Sequence, residues 1–217
     1  MSNPVPTTIS ERIFATRRFL DLIDPIPASQ SSLSATCKGL VFVKLYAIYE
    51  YTVRASVRAV LADLQSKGAP LPDLKPQVLS LILEGDWAAA RNAGRAKTWD
   101  TRIRILDKCH DGTCTTTLID DTVFPADGSH YRPRQLLTIW RVFDISDPTV
   151  PDMRFLGRIE EFVEHRNAIA HGRETPDTVG RRYSKQDIAD RIDDVDTLCT
   201  HIWTTVQAHH NAGGVLK

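Results

Sequence analysis

An all-α fold is predicted for this chain of 217 residues, an antiparallel helical bundle of about four to five helices carrying a mixed insertion or cap at about 68–132. Three observations predict it. Residues 32–65 contain no proline and a single glycine, and their apolar residues recur at helical spacing. Ile188, Ile192, Val195, Cys199, Ile202 and Val206 step by four and three, a single stripe down one helix. Between them, an apolar-periodic segment over 152–171 ends on a glycine, the usual residue just past a helix C-terminus.

In chain order, Ser10 followed by Glu11 and the run Ile13, Phe14, Phe19, Leu20, Leu22, Ile23 predicts a serine-capped first helix that stops before Pro25. Leu33, Cys37, Leu40, Val41, Leu45, Ile48, Val53, Val57, Val60, Leu61 and Leu64 then mark one long helix or two nearly collinear ones. The stretch KGAPLPDLKPQ is a proline-rich break, followed by short helical pieces at Val78–Glu84, Asp86–Arg91 and Trp99–Lys108. CHDGTCTTTLIDDTVFPADGSHYRP mixes turn residues with threonine-rich patches, consistent with one small hairpin. Pro133 opens the next helix, where the missing N–H is harmless. The helix over 152–171 turns Phe155, Ile159, Phe162, Val163 and Ile169 inward, and Gly172 terminates it. RETPDTVGRRY reads as a loop, and Ser184 with Asp187 forms a capping-box-like start to the last helix. The whole of 1–217 is expected to be one domain, with the insertion at about 68–132 and a flexible tail at 209–217.

Composition narrows the functional classes. At 42% hydrophobic and 25% charged, the chain has enough apolar material for a sizeable core. Lys+Arg and Asp+Glu both total 27, which argues against non-specific coating of nucleic acid while leaving room for a local basic patch. The first residues lack the pattern of a secretory signal and no run of about 18 apolar residues occurs, so a cytoplasmic protein with free thiols and no membrane association is expected. Cys109, His110 and Cys114 offer three zinc donors, but no second cluster completes a four-ligand site. Phosphate-loop, dinucleotide, zincin and nucleophile-elbow patterns do not occur. No metal or cofactor is expected.

The informative stretch is EHRNAIAHGRE, residues 164–174, which sets Arg166 and His171 five positions apart at a helix end. The bare pattern also matches Arg104 with His110 and Arg158 with His165. The first of these runs into the CHDGTC turn, and the second pair lies about 10 Å apart along one helix, too far to act on one atom. Arg166 and His171 are about 7.5 Å apart along the axis and rotated by about 140° in a regular helix. That geometry relaxes where the helix ends at Gly172, and relaxes further if two copies of the helix face one groove, which predicts a homodimer. Histidine titrates near neutrality and can move protons, while arginine can hold a phosphate and stabilise its transition-state charge; together they suit metal-free RNA cleavage. The plainer reading is an arginine in an ion pair and a histidine capping a helix. Neither Glu161 nor Glu164 has the spacing of a helical neighbour to Arg166, so such a pair would need another helix. Arg173, Arg181, Arg182 and Lys185 flank the following loop and could form a local basic surface for RNA; Tyr183 could stack on a base or anchor the loop.

Arg166-Asn167-Ala168-Ile169-Ala170-His171-Gly172 resembles the signature of the HEPN superfamily, an Arg-polar-x3-His motif closing a long helix of an all-α bundle. Tyr46-Ala-Ile-Tyr49-Glu50-Tyr-Thr-Val resembles the superfamily's earlier core helix, and TVFPADGSHYRPRQLLTIWRVFDI the region before the motif helix. The resemblance spans residues 30–66 and 120–208. It implies a metal-independent endoribonuclease whose active site forms across a homodimer, with Arg166 and His171 catalytic, Asn167 orienting them or the substrate, and Glu50 and Glu164 in support. It further implies a toxin or anti-phage effector, in some relatives restrained by a cognate antitoxin or other regulatory protein. The alternative it carries is a non-catalytic HEPN module that binds a nucleotide, or dimerises and holds a partner.

Overall fold

The computed structural model describes residues 4–23, 26, 28–116 and 130–217. They are helical throughout, without a strand; the extended chain makes only isolated bridges, Pro70 with Thr115 and Leu74 with Leu216. The helices are α1 (Pro4–Asp21), α2 (Ser31–Lys67), α3 (Pro76–Ile82), α4 (Glu84–Asn92), α5 (Thr98–His110), α6 (Pro133–Phe143), α7 (Arg154–Ala170), α8 (Pro176–Gly180) and α9 (Lys185–Asn211). The long central segment is thus one continuous helix of 37 residues. The hairpin expected near 109–133 lies mostly outside the described residues. The chain forms two compact units, one from residues 1–55, 130–134 and 148–204, the other from 56–129, 135–147 and 205–217.

The first unit holds the motif helix. α1 starts at Pro4, six residues before the serine expected to cap it. The reason is the true inward stripe, Ile9, Ile13, Thr16 and Leu20, which begins earlier; Phe14 and Leu22, part of the apolar run that marked this helix, are 62% and 67% exposed. α2 buries Val41, Phe42, Leu45, Tyr46, Tyr49 and Val53. α7 buries Phe155, Ile159, Phe162 and Val163 as the periodicity demands, but Asn167 and Ala168 take the last inward positions and Ile169 does not. α9 buries its whole predicted stripe, and its start is reciprocal: the Ser184 N–H donates to Asp187 Oδ2 at 2.8 Å while the Asp187 N–H donates to Ser184 Oγ at 3.0 Å.

The segment read as a loop after the motif contains α8, pinned by close backbone approach to α2. A Cβ built on Gly180 would meet the Ala35 carbonyl oxygen at 1.8 Å, and one on Gly39 would meet the Pro176 carbonyl oxygen at 2.0 Å. Hence the one glycine inside α2, a residue that normally weakens a helix, sits where only hydrogen fits. Ser32 Oγ also donates to Asp177 Oδ1 at 2.9 Å, tying the N-terminus of α2 to α8.

In the second unit, the tail expected to be flexible is bound. Helix α9 runs through His209 and His210 to Asn211, with His209 Nε2 2.9 Å from the Phe143 carbonyl and His210 Nε2 2.8 Å from Asp63 Oδ2. Val215 is buried, the Lys75 N–H donates to its carbonyl at 3.1 Å, and the Lys217 N–H donates to the Asp73 carbonyl at 2.9 Å. These backbone bonds and one buried valine supply what a polar glycine-containing tail lacks on its own. α5 leaves Trp99, Ile103 and Leu106 exposed along one face.

The two glycine positions make contrasting demands. Gly180→Ala forces α8 off α2 and should cost about 1 to 3 kcal/mol as overpacking. Gly172→Ala meets no atom within 4 Å but must hold a φ of +67°, so it should cost about 1 to 2 kcal/mol through backbone strain. Urea midpoints of the two variants check this, and a Gly180→Ala protein as stable as wild type would show that the approach relaxes.

Candidate functional site

The site is built on the last two turns of α7. Asn167 is 7% exposed, and its backbone carbonyl accepts the His171 N–H at 3.0 Å, the last bond of α7. The Gly172 N–H then donates to Ile169 and the Arg173 N–H to Ala168, at 3.1 and 2.8 Å. This is a Schellman closure, with Gly172 in the left-handed region as anticipated. His171 is therefore the C-cap, with φ −95° and ψ 7°, and its side chain is exposed. The backbone stops being helical where the motif histidine sits.

Arg166 points to α2. Its guanidinium lies 5.2 Å from the centre of the Tyr46 ring, and Nη1 donates to Asn167 Oδ1 at 3.1 Å. Nη1 also lies 3.5 Å from Nε2 of His130, which precedes α6. Among the described residues no carboxylate pairs with Arg166. His130 in turn has Nδ1 3.1 Å from the Tyr46 hydroxyl, with the two rings edge-to-face at 5.5 Å. An arginine can only donate, so Nε2 accepts and the imidazole proton belongs on Nδ1, directed to Tyr46. Burial first, and then the Arg166 charge, hold the His130 pKa below the ordinary imidazole value, with Arg132 and His171 adding to the fall and Glu50 opposing it. Burial, with Glu50 next, pushes the Tyr46 hydroxyl up to about 12. Both groups are therefore neutral around neutral pH.

The other residues named from the sequence have partners of their own. Glu50 is one turn along α2 from Tyr46 and acts on the site through its charge. Glu164 accepts from Arg173 at 2.8 Å and lies 3.6 Å from Arg132. Arg181 pairs with Asp177 at 2.9 Å and Arg182 with Glu174. The loop arginines are thus matched by acids, yet these are exposed pairs, each worth about 0 to 1 kcal/mol, which a phosphate can displace. Lys185 begins α9. His130, absent from the sequence reading, is the group that joins Tyr46 to Arg166; its only local sign was its position just before the proline that opens α6.

The decoys resolve differently. Arg104 is exposed on α5. Arg158 donates to Asp194 Oδ2 at 2.8 Å and pairs with Glu161 at 3.2 Å. His165 places Nε2 2.6 Å from the Tyr183 hydroxyl, which donates to Glu161 Oε1 at 3.0 Å, and Arg191 completes the set at 3.3 Å from Glu161. The Tyr183 ring packs 4.8 Å from that of Phe42, so of the two roles open to it, the structure displays the loop anchor. Cys109, Cys114, Cys37 and Cys199 are free thiols, and among the described residues no three His, Cys, Asp or Glu side chains converge to hold a metal ion. No helix among those residues is long and apolar enough to cross a membrane.

Tyr183→Phe tests the anchor. Losing the hydroxyl between His165 and Glu161 should cost about 1 to 3 kcal/mol in a denaturant titration; an unchanged midpoint would mean that the hydroxyl anchors nothing.

No curated protein and no solved structure matches the chain significantly. The family model of HEPN_MAE_28990-like HEPN domains matches residues 6–209, which takes in the stretch between 66 and 120 that the motif resemblance leaves out. With an all-α architecture and a match over nearly its whole length, the chain belongs to the HEPN superfamily.

Proposed function

We propose that the chain is a metal-independent endoribonuclease that cuts RNA in a site shared by two copies, acting in the cytoplasm as a toxin or anti-phage effector. The observation that carries this reading is the state of Arg166. It is a permanent charge, part-buried at the end of α7, in contact with Asn167 Oδ1 and the Tyr46 face, with no carboxylate partner among the described residues. Beside it the helix ends and leaves His171 exposed. A cation held this way is prepared for an anion, and a phosphodiester fits a forked donor.

In the proposed reaction the ribose 2′-oxygen attacks phosphorus and the bond from phosphorus to the 5′-oxygen breaks. One copy of His171 takes the 2′-hydroxyl proton and the other gives a proton to the leaving 5′-oxygen. Arg166 stabilises the charge gathering on the phosphoryl oxygens. The products carry a 2′,3′-cyclic phosphate and a 5′-hydroxyl. Arg173, Arg181, Arg182 and Lys185 are assigned to the RNA backbone, which specifies position without reading sequence. A cognate antitoxin or other regulatory protein would restrain the enzyme by covering this face.

Arg166→Ala and His171→Ala should each lower cleavage of a labelled single-stranded RNA by about a hundredfold or more, while gel filtration still shows the dimer. Cleavage should persist in excess chelator. Wild-type rates in both variants, or a wild-type protein that binds RNA or nucleotide without cutting, would replace the enzyme by the non-catalytic module. Replacing Arg173, Arg181 and Arg182 together should weaken RNA binding and flatten the log Kd against log salt plot by up to about two units; an unchanged slope would remove the loop from the interface.

A further inference from the structure

We propose that His130 is a positioning residue for the reaction above: hung on the Tyr46 hydroxyl, its ring presents Nε2 to Arg166 and holds the guanidinium in line for the RNA phosphate. The inference rests on that reading of the site and adds to it a residue from outside the Arg–His motif.

The geometry carries it. Arg166 has freedom about four side-chain torsions, and among the described residues three groups restrain its head: Asn167 Oδ1 at 3.1 Å, the Tyr46 ring beneath it, and His130 Nε2 at 3.5 Å. Asn167 and Arg166 are sequence neighbours on the same helix, so their contact moves with α7 and fixes nothing relative to the rest of the unit. Tyr46 supplies a face, which is permissive in direction. His130 is the restraint that has direction and comes from another segment. Its own orientation is set by Tyr46, which therefore touches Arg166 twice, through its ring and through the imidazole.

This arrangement works in one protonation state. With Nδ1 bearing the proton, Nε2 is an acceptor for Arg166; a second proton would set an N–H against a guanidinium, replacing attraction by repulsion. Among the described residues, the groups that act on the ring are Tyr46 and Glu50 from α2, Arg132 beside it, and Arg166 and His171 from α7. The cations and burial outweigh Glu50, so the acceptor form persists through neutrality and gives way only in acid. Arg166 should lose its alignment there, which adds an acid-side loss of cleavage to that set by the proton-accepting group of the reaction.

The test compares His130→Ala, His130→Gln and Arg166→Ala with wild type on one labelled single-stranded RNA, from about pH 5 to about pH 8. Glutamine keeps an acceptor at the reach of Nε2 and an N–H for Tyr46, and does not titrate. His130→Ala should lower kcat by about a hundredfold with KM changed much less, as expected for a misaligned group. His130→Gln should recover most of kcat and lose its rate less steeply in acid than wild type, one protonation instead of two. A merely structural histidine would move neither the kcat–KM split nor the acid limb. NMR should also show the His130 titration moving up in Arg166→Ala, as one of the two largest causes of its fall is removed. If His130→Ala cuts at the wild-type rate, or the glutamine variant keeps the wild-type acid limb, the positioning role is overturned while the loss in Arg166→Ala leaves the nuclease standing. If wild type cuts no RNA, the nuclease reading fails and this role fails with it. An unchanged His130 titration in Arg166→Ala overturns the contact itself.

Discussion

The register of α2 against α7 is the constraint on which the site depends. His165 and Arg166 are adjacent on α7, and their rings and charge meet α2 one turn apart: His165 sits 4.7 Å from the Phe42 ring and Arg166 5.2 Å from the Tyr46 ring. Residues four apart on a helix share a face, so both contacts are made by one face of α2. A slip of α2 by one turn would put Phe42 or Glu50 opposite Arg166. Glu50 there would make a tight ion pair and leave no free cation. The glycines at 39 and 180 protect that register from a distance, because α2 can seat α8 backbone to backbone at only one point along its length.

α7 itself carries opposed duties on different faces. Of its arginines, Arg154 and Arg158 turn to Asp194, a carboxylate only 6% exposed, and Arg158 reaches Glu161 as well. Buried acids need such partners, since an unpaired one would cost several kcal/mol. The same network takes in Arg191 from α9 and, through Tyr183, the loop after the motif. Consequently the histidine nearest Arg166 in sequence is committed to holding the loop, and the histidine that reaches Arg166 comes from 36 residues upstream.

What was legible in the sequence was what is local. The α9 stripe, most of the α2 and α7 stripes, the Ser184–Asp187 cap and the glycine stop at Gly172 are encoded within a few residues of where they act, and appear where the spacing placed them; Leu33, Leu40 and Ile169 are members that stay out of the core. Likewise, membership of the superfamily was readable from Arg166-Asn167-x3-His171, because a motif at a helix end is contiguous in the chain. The failures share the opposite property. The start of α1 depends on which of two apolar stripes finds the core; α8 depends on Gly39, more than 130 residues before it; and the tail is held by the 71–75 segment. His130 was missed for the same reason, since nothing next to it in the chain says that Tyr46 and Arg166 will stand on either side. Nor could sequence show that Arg173, Arg181 and Arg182 each have an acid at hand.

Those ion pairs allow the arginines to be ranked by how freely each could turn to a phosphate. Arg158 shares a buried carboxylate, and withdrawing it would leave Asp194 to the more exposed Arg154 alone. Arg173, Arg181 and Arg182 would give up exposed pairs worth about 1 kcal/mol or less, but they are also loosely held, so they add affinity more than alignment. Among the described residues Arg166 has no carboxylate to give up. A cation over an aromatic ring contributes about 0.5 to 2 kcal/mol, enough to keep the side chain in place, and the ring can stay beneath it when an anion arrives above. The energy of meeting a phosphate is then not spent on breaking an existing ion pair, and the charge is already aimed when the reaction begins. That combination of low release cost and fixed direction separates Arg166 from every other arginine on α7 and in the loop after it, and it follows from the aromatic and imidazole partners that the α2 register supplies.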